Sequence, residues 1–332
     1  MLKKLDNIVL VADSINHTKD NVTDKSTTLE KPSLEYTKNL YNALTNFANQ
    51  VIVCNSPKEL AIELENKKVD VVMTIYGGEK SRNRMALVPA VCESFNVPFM
   101  GADVYNRIIC QDKNLSKKIA NELGIKTPNS ILIEDKYDIQ LINTLNLPLV
   151  IKPNFEGSSI GISNSSLVHT YDEALNTITE SLKNFQQTIL VEEFIPGKEV
   201  NITVVGDNEN IQIFEAVEDI MLENDSFFDD NLFTLENKKL LRDKFSHKII
   251  TNELNDETKN KIKNLYKKLG KIDYIRVDGK FCNGDFILIE LTPDPHLGIT
   301  SGFVKALQYN NYNYIQGIEL LISNTLNYYE QV

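Results

Sequence analysis

The sequence predicts a mixed protein in which an α/β domain with a doubly wound parallel sheet is followed by two α+β lobes. First, residues 1 to about 100 alternate short apolar strands with amphipathic helices. Second, a lysine-proline pair and a loop of small residues follow an apolar strand near residue 150. Third, two strands near residues 276 and 290 carry polar side chains at alternate positions, with one carboxylate in each pair. A chain of 332 residues is long enough for three such units.

The composition excludes several classes of protein. The formal net charge of −11 argues against nucleic acid or an anionic membrane as a partner. The longest apolar runs have the length of a strand, so we expect no transmembrane segment. The first run, Asn7–Ala12, is too short for a secretory signal, and we expect a cytoplasmic protein. Four widely spaced cysteines have no metal or redox spacing, which predicts buried free thiols at Cys54, Cys92, Cys110 and Cys282.

The first domain is predicted from alternating strand and helix patterns. Strands are expected at Ile8–Ala12, Gln50–Cys54 and Asp70–Ile75, with a short fourth strand at Val97–Met100. Helices are expected near Ser33–Ala48, Pro57–Asn66 and Leu87–Phe95.

Two segments follow the carboxyl ends of these strands, where parallel sheets bind ligands: Ser14–Ser33 and Tyr76–Arg84. The second segment combines a lysine, two arginines and a glutamate, which could hold the carboxylate and the amine of an amino acid. A solvated surface loop is the alternative. We favour substrate contact, by Glu79 and Arg82.

The loop after the strand at Leu149–Lys152 is the strongest chemical signal. Lys152 places a cation at the strand end, and Pro153 ends the strand because it has no N–H to donate. The small residues that follow can bring N–H and hydroxyl groups close to phosphate oxygens. They are Gly157, Ser158, Ser159 and Gly161. The loop does not match the P-loop, because no Gly-Lys-Ser/Thr follows at the required spacing. It does not match the dinucleotide fingerprint, because a hairpin and not a helix is expected after it. A plain hairpin with a glycine- and serine-rich turn is the alternative to a triphosphate clamp.

The neighbouring patterns predict a small lobe that could close over a nucleotide. They are a helix at Asn114–Gly124, a strand at Ser130–Ile133, a helix near Tyr137–Leu145 and a helix near Asp172–Lys183. We place the domain boundaries at residues 1–100, 101–190 and 191–332.

The C-terminal part carries paired carboxylates on two strands. Alternation puts Arg276 and Asp278 on one face of the first strand, and Glu290 and Thr292 on one face of the second. Mg²⁺ prefers such hard oxygen ligands, whereas buried strands otherwise avoid charge. Helices are expected at Asn255–Gly270, Phe303–Tyr309 and Tyr314–Leu326.

The motif Lys152-Pro-x-x-x-Gly-Ser-Ser-x-Gly161 resembles the phosphate-covering loop of the D-alanine–D-alanine ligase branch of the ATP-grasp enzymes. Asp112-Lys113 and the run from Val191 to Glu199 resemble that family too. The resemblance implies an ATP-grasp fold behind the parallel-sheet domain. It implies that ATP is bound by Lys113, Lys152, Glu156, Gly157, Ser158, Ser159, Glu192, Glu193, Phe194, Ile195 and Glu199. In it, the backbone near Glu192 reads adenine, and Glu199 binds the ribose hydroxyls.

The same resemblance implies the metal and substrate sites. Arg276 would stabilise the tetrahedral intermediate, and Asp278 and Glu290 would bind Mg²⁺, for which Mn²⁺ could substitute. The family's Glu-x-Asn is Glu290-x-Thr292 here, and Asp294 could supply the missing oxygen. The acceptor's site is expected at Gly298, Thr300 and Ser301.

Two family features differ in this chain. The Ser-x-Glu-x-x-Val-Ser motif of the first substrate site is absent, and Glu30 with Ser33 is a loose substitute. The loop that covers the γ-phosphate lacks a clear lysine, and Lys238 and Lys239 stand nearest in sequence.

The reaction implied by the resemblance has two steps. A carboxylate attacks the γ-phosphate of ATP to give an acylphosphate and ADP, and an amine then displaces phosphate to form an amide. Two small amino acids, by default D-alanine, would be joined for peptidoglycan synthesis, by a protein that could be a homodimer. The alternatives are a ligase for another amino acid or peptide in a side pathway, and a nucleotide-binding protein without turnover.

Overall fold

The computed structural model describes residues 2–16, 30–79, 81–135, 137–207, 210–234, 236–237 and 244–331 of the chain. Within these ranges it contains a three-stranded parallel sheet, a four-stranded antiparallel sheet and a five-stranded antiparallel sheet. Helices cover the sheets. The predicted fold class is therefore confirmed.

The first domain has the strand order β2-β1-β3, with all pairs parallel. Its elements are β1 (Leu5–Val11), α1 (Leu34–Leu44), β2 (Ala48–Cys54), α2 (Pro57–Asn66), β3 (Val71–Thr74) and α3 (Leu87–Phe95). Ser33 and Ser56 cap α1 and α2 by accepting backbone N–H bonds, as serine commonly does. The predicted fourth strand is wrong, because Phe99 forms one parallel bridge to Val72 and the chain then turns at Gly101.

The small lobe is an antiparallel sheet of order β4-β7-β5-β6, covered by a helix. The segment contains α4 (Val104–Gln111), α5 (Lys113–Glu122), β4 (Ser130–Ile133), β5 (Leu149–Pro153), β6 (Leu167–Val168), α6 (Tyr171–Phe185) and β7 (Ile189–Glu193). The hairpin expected after the phosphate loop is confirmed, because β6 pairs antiparallel with β5. The helix expected near Tyr137–Leu145 is a 3₁₀-helix over Asp138–Thr144.

The C-terminal lobe has the strand order β10-β9-β8-β11-β12. Its elements are β8 (Lys198–Gly206), β9 (Ile211–Met221), α7 (Phe227–Asp230), β10 (Phe245–Ile249), α8 (Asp256–Leu269), β11 (Tyr274–Cys282), β12 (Asp285–Thr292), α9 (Gly302–Tyr309) and α10 (Tyr314–Gln331).

The lobes divide differently from the boundaries we placed by sequence. Strand β7 continues to Glu193 within the small-lobe sheet, so the crossing between lobes is the segment 194–197. Helices α4 and α5 pack in the core of the C-terminal lobe, where Ile109 and Ala120 contact apolar side chains of the large sheet. The segment before β4 therefore joins the larger lobe, since its apolar face completes that core.

The first domain and the C-terminal helices share a second core. Side chains of β1 and β3, such as Leu10 and Met73, pack with Phe303 and Ile318 of α9 and α10. Cys54, Cys92 and Cys110 are buried free thiols, as predicted, and Cys282 is half-buried. Among the helices of the described ranges, none has both the length and the apolar character needed to cross a membrane.

Candidate active site

A buried carboxylate of the small lobe holds two lysines, one from its own sheet and one from α5. Glu192 of β7 contacts Lys152 of β5 at 2.5 Å and Lys117 of α5 at 3.0 Å, and all three side chains are almost fully buried. Burial by itself would raise the pKa of Glu192, but the two ammonium groups lower it below its usual value. Burial lowers the pKa of Lys117 to about 8. Lys117 was not among the predicted residues, although it lies one turn after Lys113 on the same face of α5.

Lys113 connects the small lobe with the C-terminal lobe. It is the first residue of α5, and Asp112 caps that helix by accepting the N–H of Leu115 at 3.0 Å. Its ammonium donates to the backbone carbonyl of Glu156 and lies 3.4 Å from Oε2 of Glu290. One buried lysine therefore contacts both the phosphate loop and the strand of the predicted metal ligands.

The phosphate loop has an unusual backbone. Ser158 and Ser159 have φ angles of 52° and 63°, and Gly161 has 73°. Consecutive left-handed serines are uncommon, and such conformations concentrate at ligand-binding sites. The hydroxyl of Ser159 donates to the carbonyl of Phe233 at 3.0 Å, which ties the loop to the segment after α7. Lys238 and Lys239, which we considered for this covering segment, lie outside the described residues.

Arg84 joins the first domain to the phosphate loop. Its guanidinium donates to the carboxylate of Glu30, to Oε2 of Glu156 at 3.0 Å and to the carbonyl of Phe155 at 3.1 Å. The other oxygen of Glu30 accepts the N–H of Gly157 at 2.7 Å. Burial raises the pKa of Glu156, and Arg84 opposes that shift. The side chain of Glu156 therefore points toward the first domain rather than along the phosphate loop.

The two residues predicted to hold the first substrate lie at the edge of this cluster. Arg82 is exposed, with its guanidinium 5.9 Å from the centre of the Phe155 ring. Glu79 forms an ion pair with Lys31. Sequence reasoning noted two arginines in this segment and favoured Arg82, whereas Arg84 is the one that the 3₁₀-turn at 84–86 buries against the loop.

The crossing between lobes carries the residues expected at the base and ribose. The N–H groups of Glu193 and Phe194 donate to the carbonyls of Asn129 and Pro148, at 3.0 and 2.9 Å. The carboxylate of Glu193 accepts three further bonds, from Asn129 and Asn146. Glu193 therefore anchors the β4–β7 edge.

Two further residues continue the crossing into β8. Ile195 lies between the two sheets. Glu199 is the second residue of β8, and its carboxylate lies 3.1 Å from the ammonium of Lys280.

The paired strands β11 and β12 bring their polar side chains to one face, as predicted. Asp278 lies directly opposite Glu290, and Arg276 opposite Thr292. Arg276 donates to both oxygens of Asp278, at 2.6 and 2.8 Å, and the hydroxyl of Thr292 donates to Asp278 at 2.8 Å.

Asp294, which we considered as a metal ligand, has a different partner. Its carboxylate forms an ion pair with the buried Arg107 of α4 and faces the turn at Gly101. In the structure Asp294 therefore joins the segment after β12 to α4, and its role as a metal ligand stays a prediction. The described residues contain no cluster of three or more His, Cys, Asp or Glu side chains that could hold a metal. Two carboxylates nevertheless fit Mg²⁺, which is commonly held by one or two carboxylates together with nucleotide phosphates.

The loop of the expected acceptor site precedes α9. The hydroxyl of Ser301 caps α9 by accepting the N–H of Val304, and the N–H of Gly298 donates to His296 at 3.1 Å. His247 of β10 bridges Asp219 and this loop, with Nδ1 2.6 Å from Asp219 and Nε2 3.1 Å from the carbonyl of Thr300. The hydrogen bond to Asp219 raises the pKa of His247. Sequence reasoning gave no role to this histidine, because its two partners lie far from it in sequence, on β9 and in the loop before α9.

Comparisons with known proteins agree with this arrangement. The family described as "D-ala D-ala ligase C-terminus" matches residues 118–323, more than half of the chain. The chain is 30% identical to the D-alanine–D-alanine ligase of Haemophilus ducreyi over 256 residues, 75% of this chain and 78% of that protein. It is 28% identical to the D-alanine–D-alanine ligase of Fervidobacterium nodosum over 281 residues, 79% of this chain and 84% of that protein.

Solved structures with this fold include the D-alanine–D-alanine ligase of Bacillus anthracis complexed with ATP. Its TM-score is 0.73 at 20% identity, covering 98% of this chain and 99% of that one. The VanG D-Ala:D-Ser ligase of Enterococcus faecalis has a TM-score of 0.68 at 20% identity, covering 97% and 100%. At this identity the structures support the fold, while the sequence matches establish the family. The chain therefore belongs to the D-alanine–D-alanine ligase family of ATP-grasp enzymes.

Proposed function

We propose that the protein is an ADP-forming ligase that joins the carboxylate of one small amino acid to the amine of another through an acylphosphate. The observation that carries this proposal is the 3.4 Å approach of Lys113 to Glu290. This contact supports a shared site for the cations near the phosphate loop and the carboxylates of β11 and β12. We also retain the cytoplasmic location and the homodimer as proposals, the second testable by sedimentation of the purified protein.

In the first step, ATP is a substrate whose triphosphate carries several negative charges. We assign their neutralisation to Lys113 and Lys152, aided by N–H groups of the loop at Gly157–Ser159. Glu192 holds Lys152 in place before the nucleotide arrives, so little reorganisation is needed. The carboxylate of the first substrate attacks the γ-phosphorus, a P–O bond to the β-phosphate breaks, and ADP leaves. Positioning and charge neutralisation supply most of the catalysis in such transfers.

Asp278 and Glu290 would hold Mg²⁺, or Mn²⁺, beside the phosphates. When bound, the ion neutralises phosphate charge and orients the oxygens. Arg276 and Thr292 both donate to Asp278, which fixes the direction of its carboxylate.

In the second step, the amine of the acceptor attacks the carbonyl carbon of the acylphosphate. A C–N bond forms, the C–O bond to phosphate breaks, and inorganic phosphate leaves. We assign Arg276 to the negative oxygen of the tetrahedral intermediate, because a guanidinium donates two directed bonds to an oxyanion. The loop of Gly298, Thr300 and Ser301, at the N-terminus of α9, is the proposed place for the acceptor's carboxylate.

D-Alanine is the first candidate for both substrates, because the named relatives act on it. A second candidate is a ligase for another amino acid or a short peptide. The contacts of Glu30 favour that alternative. Both of its oxygens are engaged, one by Gly157 and the other by Arg84. The amine of D-alanine, if it bound to Glu30, would therefore compete with the guanidinium of Arg84 for the same carboxylate.

A panel of D- and L-amino acids and dipeptides, supplied with ATP and Mg²⁺, tests the proposal through phosphate release and mass spectrometry of the product. We expect at least one pair of substrates to give ADP, phosphate and an amide in equal amounts. We expect none of these products when EDTA removes the metal. Release with another acid but not with D-alanine would select the second candidate. Calorimetric binding of ATP without ADP formation for any pair would instead identify a nucleotide-binding protein without turnover.

A further inference from the structure

Lys280 is a buried cation beside the crossing between the lobes. It lies on β11 two residues after Asp278, and only 4% of its surface is exposed. In the pairing of β11 with β8, Lys280 stands directly opposite Glu199. Its ammonium is 3.1 Å from the carboxylate of Glu199.

Within the described part of the chain, the other contacts of Lys280 come from the crossing between lobes and from α7. The ammonium donates to the carbonyls of Gly197 and Phe228, at 3.2 and 3.3 Å. It lies 5.7 Å from the ring centre of Phe194 and 5.1 Å from that of Phe228, within the range of a cation–π interaction. These residues lie beside the region proposed for the base and the ribose. The charge of this lysine is compensated by Glu199.

The pairing constrains the carboxylate that is proposed to bind ribose. Removing an ammonium from water is costly unless it is paired, so Lys280 favours a conformation in which the carboxylate of Glu199 stays close to it. A carboxylate has about four acceptor sites, so it can accept ribose hydroxyls while it retains the lysine. Lys280 thus fixes the direction of the acceptor that distinguishes ribose from deoxyribose.

We propose that Lys280 is a positioning residue that sets the preference of this enzyme for ribonucleotides over deoxyribonucleotides, by holding Glu199 toward the sugar. This inference rests on the proposed function, because it takes Glu199 as the ribose ligand. It adds Lys280, a residue of β11 that acts on the sugar site through Glu199.

Calorimetric dissociation constants for ATP, 2′-deoxy-ATP and inorganic tripolyphosphate test the role of Lys280 without turnover. We expect the wild type to bind ATP about tenfold more tightly than 2′-deoxy-ATP, the difference of one hydrogen bond to a charged group. Lys280→Met should reduce that ratio to about twofold and leave tripolyphosphate binding unchanged. Lys280→Arg should restore most of the ratio, because it keeps a cation beside Glu199. Glu199→Gln should lower the ratio by a similar amount, and the double variant should lose no more than either single one.

Lys198→Met is the matched control, since Lys198 precedes Glu199 but pairs with Glu218 and Glu253. It should keep the wild-type ratio. The role of Lys280 would be overturned if the wild type bound ATP and 2′-deoxy-ATP equally tightly, or if Lys280→Met left the ratio of the two dissociation constants unchanged. In either case the proposed function would stand, provided that the wild type binds ATP and turns it over. A wild type that binds no ATP would overturn both.

Discussion

The proposed phosphate end and the proposed first-substrate end of the site are both lined with charge, but they are organised differently. At the phosphate end, Lys152 and Lys117 share one buried carboxylate, and Lys113 reaches between the lobes. At the first-substrate end, the charges form a mixed cluster in which Arg84 joins Glu30 to Glu156. The first cluster thus has an excess of cations, whereas the second has an excess of carboxylates.

This difference follows the sequence. The phosphate end carries the motif that resembles the family, and its surplus of cations suits a triphosphate. The first-substrate end lacks the family's serine- and glutamate-containing motif, and Arg84 lies beside the loop. We infer that the handling of ATP is retained, whereas the choice of the first substrate has diverged. The variants below test each half of that contrast.

Lys152→Ala should have the largest effect on turnover. It removes a buried cation beside the proposed triphosphate, and we expect ADP formation to fall by about 10²- to 10³-fold. Glu192 would keep Lys117 as a partner, so the fold should survive, and circular dichroism checks it. Lys126→Ala is the matched control, because that lysine is exposed and pairs with Asp285. Near-normal turnover in Lys152→Ala would remove Lys152 from the phosphate site.

Glu290→Gln should reduce activity by about 10²-fold at ordinary Mg²⁺ concentrations and raise the Mg²⁺ concentration needed for half-maximal rate. The amide keeps the size of the side chain but loses the charge that attracts the metal and Lys113. A Mg²⁺ titration of the rate measures the shift. Asp285→Asn, at the opposite end of β12, should leave the titration unchanged. A titration of Glu290→Gln that matches the wild type would exclude Glu290 as a ligand.

The places of Lys152, Asp278 and Glu290 in the fold could be predicted from the sequence, because their signals are local. Lys152 stands at a strand end, and Asp278 and Glu290 follow strand alternation, so short patterns place them. The contacts that were missed join distant parts of the chain. Arg107 forms an ion pair with the carboxylate of Asp294, which lies 187 residues later in the chain, and no spacing in the sequence indicates that pair. Arg84 and Arg82 look alike in sequence, and only the turn at 84–86 decides which is buried.

Arg84→Met tests the first-substrate end. It removes the guanidinium that holds Glu30 and Glu156, and we expect the KM for the first substrate to change by about tenfold while the affinity for tripolyphosphate stays near that of the wild type. Arg82→Met is the matched control, because Arg82 is exposed in the same segment. If the tripolyphosphate affinity of Arg84→Met fell as much as the KM changed, Arg84 would be part of the phosphate site. That result would contradict the separation between the phosphate end and the first-substrate end.

The smallest effect concerns His247, whose region belongs to neither end. Its hydrogen bond to Asp219 raises its pKa above the ordinary 6.5. A raised pKa in the folded state adds stability that is fully present below about pH 6.5 and is lost as the pH rises through the folded value. His247→Gln should therefore lower the free energy of unfolding more at about pH 5.5 than at about pH 9, which urea titrations at the two pH values measure. His169→Gln should show no comparable dependence, because His169 is exposed on the small lobe. An equal loss at both pH values would mean that the imidazole is not charged beside Asp219, and that the acceptor loop is held at Thr300 by a neutral hydrogen bond.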